Sequence, residues 1–301
     1  MARLDSELVR RGMARARGHA AELVATGRVL VDGRPAHKVA LPVRQDSRID
    51  LLPGFGPDYV GRGAHKLAGV LDELEAAYPP GVRPDGLRCL DAGSSTGGFT
   101  QVLLERGARQ VLAVDVGHGQ LAPALRDDPR VLDLSGTTVR GLSASAIGGP
   151  VDLVVGDLSF ISLTLVLGDL RTLVRATGQL VLLVKPQFEV GRERLGSGGV
   201  VRDPGLRREA VQRVCVAAAQ QHLGLRAVRA SRWPGPSGNV EYFVWLSPED
   251  APVEVAGAGA GTIEAAQTET ARIATAPMEA TSIDTAQIEA AVRVAVEEGP
   301  A

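Results

Sequence analysis

Residues 179–189 read QLVLLVKPQFE: five consecutive apolar side chains, Leu180 to Val184, that run into a lysine and then a proline. An unbroken apolar run of this length predicts a strand buried on both faces, as in a parallel sheet. The lysine at its end needs a partner, because an ammonium is costly to bury alone. Similar runs occur at 87–93 (LRCLDAG), 110–117 (QVLAVDVG) and 151–159 (VDLVVGDLS), with NVEYFVWLS at 239–247 the last. Helical stretches separate them; one carries Leu67, Val70, Leu71 and Leu74 at i, i+3, i+4 and i+7. The alternation predicts an α/β fold, a doubly wound parallel sheet over residues 62–249, with ligands bound beyond the carboxyl ends of the strands. Lys185 is expected at one such end.

Outward from this sheet the chain changes character twice. Residues 1–52 read as helix, helix and hairpin: Leu4 and Leu8 share a helical face, a second helix runs from about Ala16 to a stop at Gly27, and Asp32-Gly33 signals a tight turn. Residues 53–61, PGFGPDYVG, read as a linker. Residues 250–301 are rich in Ala, Thr and Glu, lack any aromatic, and repeat loosely at Ile263, Ile273 and Ile283. That composition predicts a disordered or partly helical acidic tail with no chemistry.

The net charge of −2 hides an asymmetry. Residues 251–301 carry eight acidic and two basic side chains, whereas residues 1–50 carry ten Arg/Lys against six Asp/Glu. A basic head points to a polyanionic partner, although the excess is small. The only two cysteines, Cys89 and Cys215, lie in apolar runs and read as buried free thiols of a reducing cytosol. The N-terminus has no apolar signal core, and no apolar stretch approaches the roughly 20 residues that span a bilayer, so a soluble cytoplasmic protein is expected.

The chemistry gathers at the strand ends. In LDAGSSTGGFT, Asp91, Gly93, Gly97 and Gly98 fall after a strand and before a helix, where glycines admit a ligand close to backbone and the helix offers free N–H groups. The spacing is not that of a dinucleotide loop, and a carboxylate there would repel a pyrophosphate. Asp91 suits a cationic ligand such as S-adenosylmethionine, and Asp115 falls where ribose hydroxyls are held. A turn of purely structural glycines is the plain alternative. Asp157 and Glu241 mark two further strands, and with Lys66 and Lys185 they offer two carboxylates and two ammoniums to one crevice. Each alone has a dull explanation as a cap, a solvated lysine or an ordinary ion pair. Jointly they point to a proton-handling site in which Lys185 binds or accepts a hydroxyl proton. His65 and His118 read as peripheral. No Cys/His spacing indicates a metal and no Ser-His-Asp pattern stands out.

With RLDSELVRRG, ARGHAAELVATGRVLVDGRP, GRGAHKL, DAGSSTGGFT, VDVGHGQL, GDLSFISLTLVL, LLVKPQFEVGRERLGSGGVVRDP and GPSGNVEYFVWL, the chain resembles the TlyA family of rRNA 2′-O-methyltransferases, also called haemolysins, over nearly all of residues 3–247. The resemblance implies an RNA-binding head like that of small-subunit ribosomal protein S-four and a Rossmann-like FtsJ-type methyltransferase body. It maps the Lys-Asp-Lys-Glu tetrad of that fold onto Lys66, Asp157, Lys185 and Glu241. It also implies cofactor contacts from Gly63, Ser95, Thr96, Phe99 and Asp133, beside Asp91, Gly93, Gly97, Gly98 and Asp115. The implied reaction is in-line transfer of the sulfonium methyl to a cytidine 2′-hydroxyl, in RNA of the small and, for some members, the large ribosomal subunit. Arg3, Arg11, Arg15 and Arg17, around the first two helices, are the candidates for docking RNA phosphates; a monomer is expected. The chain departs from the family pattern at Gln101, at His118, in SGTTVR (135–140) and in lacking a tryptophan in the linker. An inert RNA-binding or ribosome-assembly factor, a membrane-active haemolysin and a base-amino methyltransferase are the competing readings. The complete tetrad, the want of a spanning or basic amphipathic segment, and DLSF in place of a proline-rich motif speak against them in turn.

Overall fold

The structure is a computed structural model. It describes residues 2–14, 16–25, 28–36, 38–51, 59–196, 198–235, 237–249 and 285–299. The chain divides into two compact units, Met1–Ala64 and His65–Ala301. The expected linker falls largely in 52–58, outside the described residues.

In the first unit, β1 (Ala2–Arg3) leads into α1 (Leu4–Arg10) and α2 (Arg17–Ala25), followed by β2 (Val29–Val31), β3 (Arg34–Pro35), β4 (Pro42–Val43) and β5 (Ile49–Leu51). β1 pairs with β4, and β2 lies between β3 and β5. The β2–β3 hairpin turns on Asp32 and Gly33, both in the left-handed region at φ 51° and 77°. This is the geometry for which Asp-Gly is selected. Leu4, Leu8, Ala20, Leu23, Val24, Val29 and Ile49 are buried as one small core.

The second unit follows α3 (Gly63–Ala77) with β6 (Arg88–Ala92), α4 (Gly98–Glu105), β7 (Gln110–Asp115), α5 (Pro123–Arg126), β8 (Val131–Ser135), β9 (Val151–Gly156), α6 (Leu167–Leu173), β10 (Val174–Val184), α7 (Pro186–Glu189), α8 (Pro204–Ala219), β11 (Leu223–Ala230), β12 (Tyr242–Pro248) and α9 (Thr285–Glu297). Among the described residues they form a seven-stranded sheet in the order β11-β12-β10-β9-β6-β7-β8. Leu90, Leu112, Val154, Leu180 and Leu182 are fully buried in its centre, which is why these strands read as continuous apolar runs.

Three features were not anticipated. The strands β8 and β11 are edge strands whose polar and small residues conceal them in the sequence. β12 runs antiparallel between β10 and β11, with Tyr242 opposite Val184 and Leu246 opposite Leu180. Residue 241 therefore lies at the same edge as the carboxyl end of β10, whereas an all-parallel sheet would have put it at the far edge. Finally, the tail, expected to be disordered or partly helical, contains α9, whose packing on α8 and β11 through Ile288, Val292, Ala295 and Val296 was not foreseen. Those positions recur at i, i+4, i+7 and i+8, an apolar stripe diluted by the alanine-rich composition around it. Residues 250–284 lie outside the described residues.

Candidate active site

The loop between β6 and α4 is shaped by its glycines. Gly93 sits at φ 85°, and a Cβ there would lie 2.9 Å from the Asp157 carbonyl oxygen. Gly97, at φ 95°, caps α4 without a side-chain hydrogen bond and has the Leu121 and Leu125 side chains where a Cβ would be. A left-handed backbone packed this closely demands glycine. The first turn of α4 leaves N–H groups without intrahelical partners, which suits an anionic group of a ligand. Ser95 N–H donates to Asp115 Oδ2 at 2.8 Å and Gly117 N–H to Asp115 Oδ1 at 2.7 Å, so the carboxylate at the end of β7 is fixed by backbone.

Asp91 is fully buried at the end of β6. Its Oδ2 accepts the Thr100 hydroxyl at 2.7 Å, while Oδ1 has no hydrogen-bond partner among the described residues. Burial pushes this carboxyl up to about 7, assisted by the neighbouring charge of Asp157 and opposed by the Thr100 hydrogen bond. A buried acceptor left open is a place for a donor that the chain itself does not supply.

Four ionisable side chains form two ion pairs. Lys66 Nζ lies 2.6 Å from Glu241 Oε2, with the carboxylate wholly buried and the lysine side chain 5% exposed. Gln187 Nε2 donates to the other oxygen of Glu241 at 3.3 Å. Lys185 Nζ lies 2.6 Å from Asp157 Oδ1 and donates to Ser159 Oγ at 2.7 Å. This is the partner that the lysine at the end of the apolar run required. Gln187, two residues beyond Lys185, touches Glu241 and so links the two pairs along the chain. The loop 231–241 is closed by a hydrogen bond from Ser231 N–H to the Glu241 carbonyl at 2.8 Å. Asp157 joins the glycine loop through its own N–H, which donates to the Ala92 carbonyl at 2.9 Å.

Several side chains in the site were not foreseen. Glu189, at the end of α7, is buried, and burial raises its carboxyl above the ordinary range. Its oxygens accept the Ser162 hydroxyl at 2.5 Å and the Leu163 N–H at 2.8 Å, tying the loop that carries Asp157 and Ser159 to the segment that begins at Lys185. Asn239 links Val201 N–H and the Gly199 carbonyl to the loop that ends at Glu241. Phe160 adopts φ 64°, is 92% exposed, and sets its ring 5.3 Å from that of Phe188. Glutamate in a PQFE stretch or asparagine in a turn carries no local signal for these long-range bonds.

Some expected contributors are engaged elsewhere. Phe99 is buried, with its ring 6.2 Å from Phe243, so its side chain belongs to the core and only its backbone can face a ligand. Asp133 Oδ1 accepts the Ser135 N–H. Thr96 uses its carbonyl to accept Ala122 N–H, and Gly98 and Gly63 open their helices. In the first unit, Arg3 pairs with Asp5 at 2.8 Å and Arg17 donates to the Ser6 hydroxyl at 2.8 Å. Arg11 is tied to Glu7 and to the carbonyls of Ser47 and Gln45, so it serves the packing of its own unit. The Arg3 and Arg10 guanidiniums hold the carboxyls of Asp5 and Glu7 down to about 2. Arg15 lies outside the described residues.

The sheet order, the glycine loop and the paired ammoniums and carboxylates at the strand ends point to a methyltransferase of the FtsJ-like class, and the profile of the FtsJ-like methyltransferase family matches residues 59–247. The S4 domain profile matches residues 2–49. The chain is 54% identical over 247 residues to the 16S/23S rRNA (cytidine-2′-O)-methyltransferase TlyA of Mycobacterium tuberculosis, covering 81% of this chain and 89% of that one. It is 31% identical to hemolysin A of Brachyspira hyodysenteriae, over 80% of this chain and 98% of that one. A solved structure named as a hemolysin, from Streptococcus thermophilus, aligns with a TM-score of 0.69 at 29% identity, over 98% of this chain and 96% of that one. The chain belongs to the TlyA family of FtsJ-like methyltransferases.

Proposed function

We propose that this protein methylates the 2′-hydroxyl of a cytidine ribose in ribosomal RNA, with S-adenosylmethionine as donor. The observation that carries the reading is the Lys185–Asp157 pair at 2.6 Å, set at the carboxyl edge of the sheet and joined by backbone to the glycine loop. The orphaned Oδ1 of Asp91 and the fixed Asp115 carboxylate fit a ligand with an ammonium and a ribose. When bound, that cofactor supplies an electrophilic methyl group on a sulfonium.

The chain's own residues act on the acceptor. Lys185 has three N–H donors; one reaches Ser159, Asp157 draws the ammonium toward itself, and a substrate hydroxyl can take the place of either contact. Holding that hydroxyl in line is the main contribution, since orientation alone can supply about 7–11 kcal/mol. The hydroxyl proton passes to the Asp157 carboxylate, or to Lys185 once the ammonium has given its own proton to Asp157, as the oxygen is alkylated. Lys66 and Glu241, too buried to meet RNA, fix Gln187 and the loop 231–241 and keep the local charge balanced. The head, through Arg3 and Arg17, contacts RNA phosphates, and the ribosomal substrate implies a cytoplasmic protein. Among the described residues no helix is long and apolar enough to cross a membrane.

The test is mass mapping of 2′-O-methyls on isolated small and large ribosomal subunits, incubated with the cofactor and either wild type or Lys185→Ala. A methyl on a cytidine with wild type, and at least 100-fold slower with the variant, is expected from the loss of a proton-handling group, which contributes about 10²–10⁴-fold. Equal methylation by both would remove Lys185 from the mechanism.

A further inference from the structure

Beyond the reacting groups, an aromatic surface borders the site. Trp233 lies in the loop 231–241 and is 38% exposed. Its backbone is held by Ser231: the Ser231 hydroxyl donates to the Trp233 carbonyl at 2.8 Å, and Trp233 N–H donates back to the same hydroxyl at 3.2 Å. One side of the indole rests on the His65 ring, with centroids 5.0 Å apart and planes inclined by 33°. His65 is the residue before Lys66 on α3. His65, Lys66, Glu73, Arg232 and Trp233 border one narrow depression that their own side chains fill. Gln187, two residues beyond Lys185, touches Glu241, Glu241 pairs with Lys66, and Lys66 borders the same depression as the two rings.

The charges of the depression are balanced. Arg232 Nε pairs with Glu73 Oε1, and Lys66 is neutralised by Glu241. The exposed part of the indole, set among paired charges, has little to offer a phosphate and much to offer a flat uncharged face. A nucleobase presents such a face, and stacking on aromatic rings is the usual way that unpaired bases are held. Resting on the proposed 2′-O-methylation of RNA, we infer that Trp233, backed by His65, is a stacking platform for a base of a nucleotide neighbouring the modified cytidine. Trp233 is then a substrate-positioning residue that fixes the strand on either side of the reacting ribose. An exposed indole held rigid by backbone loses little entropy when the base arrives.

The experiment compares wild type, Trp233→Ala and Trp233→Phe in methyl transfer to isolated ribosomal subunits, with cofactor affinity measured by calorimetry. Removing one stacked base costs roughly five- to 150-fold. Trp233→Ala should raise KM for the subunit about tenfold, Trp233→Phe should stay within about threefold of wild type, and cofactor Kd should not move. Because stacking is not a counterion effect, the ratio of KM values should be the same at low and high salt. The chain has two tryptophans, Trp233 and Trp245, so Trp245→Phe leaves Trp233 as sole reporter. Its fluorescence should be quenched by a short cytidine-containing oligoribonucleotide, a readout that does not depend on the alanine variant folding. Wild-type KM in Trp233→Ala, or fluorescence indifferent to RNA, overturns the inference while leaving the methylation reading intact. Parallel loss of cofactor binding in both Trp233 variants overturns it in favour of a structural tryptophan. Absence of any methyl from wild type instead strikes the parent reading.

Discussion

Replacing Glu241 by glutamine takes the negative charge from a carboxylate with no exposed surface and leaves the Lys66 ammonium, 2.6 Å away and 5% exposed, without its counter-ion. Breaking one side of a buried ion pair costs about 3–5 kcal/mol, because the surviving charge stays desolvated and unpaired. In a unit of this size each kcal/mol moves the melting temperature by about 2–4 °C, so a fall of about 6–20 °C is expected. Lys66→Met should cost about as much, since it strands Glu241 with only the 3.3 Å contact from Gln187. The double variant Lys66→Met/Glu241→Gln buries no charge and should recover most of the loss, returning to within about 2 kcal/mol of wild type. Thermal unfolding followed by circular dichroism reads the stability, and transfer of a labelled methyl to ribosomal subunits reads the activity. All three variants should transfer methyl slowly, which would separate the pair's structural role from its role in positioning. Additive destabilisation in the double variant would refute the reasoning, for it would mean that the two charges do not rely on each other.

Asp91 titrates at about 7 in the fold against an ordinary value of 3.8 because it is buried, so the fold favours its neutral form. The stability it contributes is complete below pH 4 and is lost as pH rises to 7, about 4 kcal/mol in all; the advantage of Asp91→Asn over wild type should grow across that window and then level off, and a pH-independent difference in denaturant midpoint would contradict it. Since a cationic cofactor favours the ionised carboxylate, its affinity should weaken as pH falls below 7, with proton release on binding seen by calorimetry in buffers of different ionisation enthalpy. Glu189→Gln keeps one acceptor and loses the other, freeing either Ser162 or Leu163; a roughly tenfold lower kcat with unchanged cofactor Kd is expected, and wild-type kcat would show that the loop of Asp157 is held by other means.

The amino-acid sequence by itself determined the class of fold and the chemical types in the site. Strands buried on both faces have to be apolar throughout, so the central four announced themselves, and ionisable residues at the ends of such runs are too expensive to be casual. The Asp-Gly hairpin and the glycine loop were equally legible, because positive φ restricts the choice of residue. Only the tertiary structure decided which charges pair. That Glu241 meets Lys66 rather than Lys185, and reaches the same edge as the ends of the parallel strands, depends on β12 running antiparallel, a choice made by long-range pairing that no local pattern encodes. The same reason hid Glu189 and Asn239, whose partners lie 26 and 38 residues away. It also hid the packing of α9, whose apolar stripe acquires meaning only against the surface of α8 and β11 that it covers.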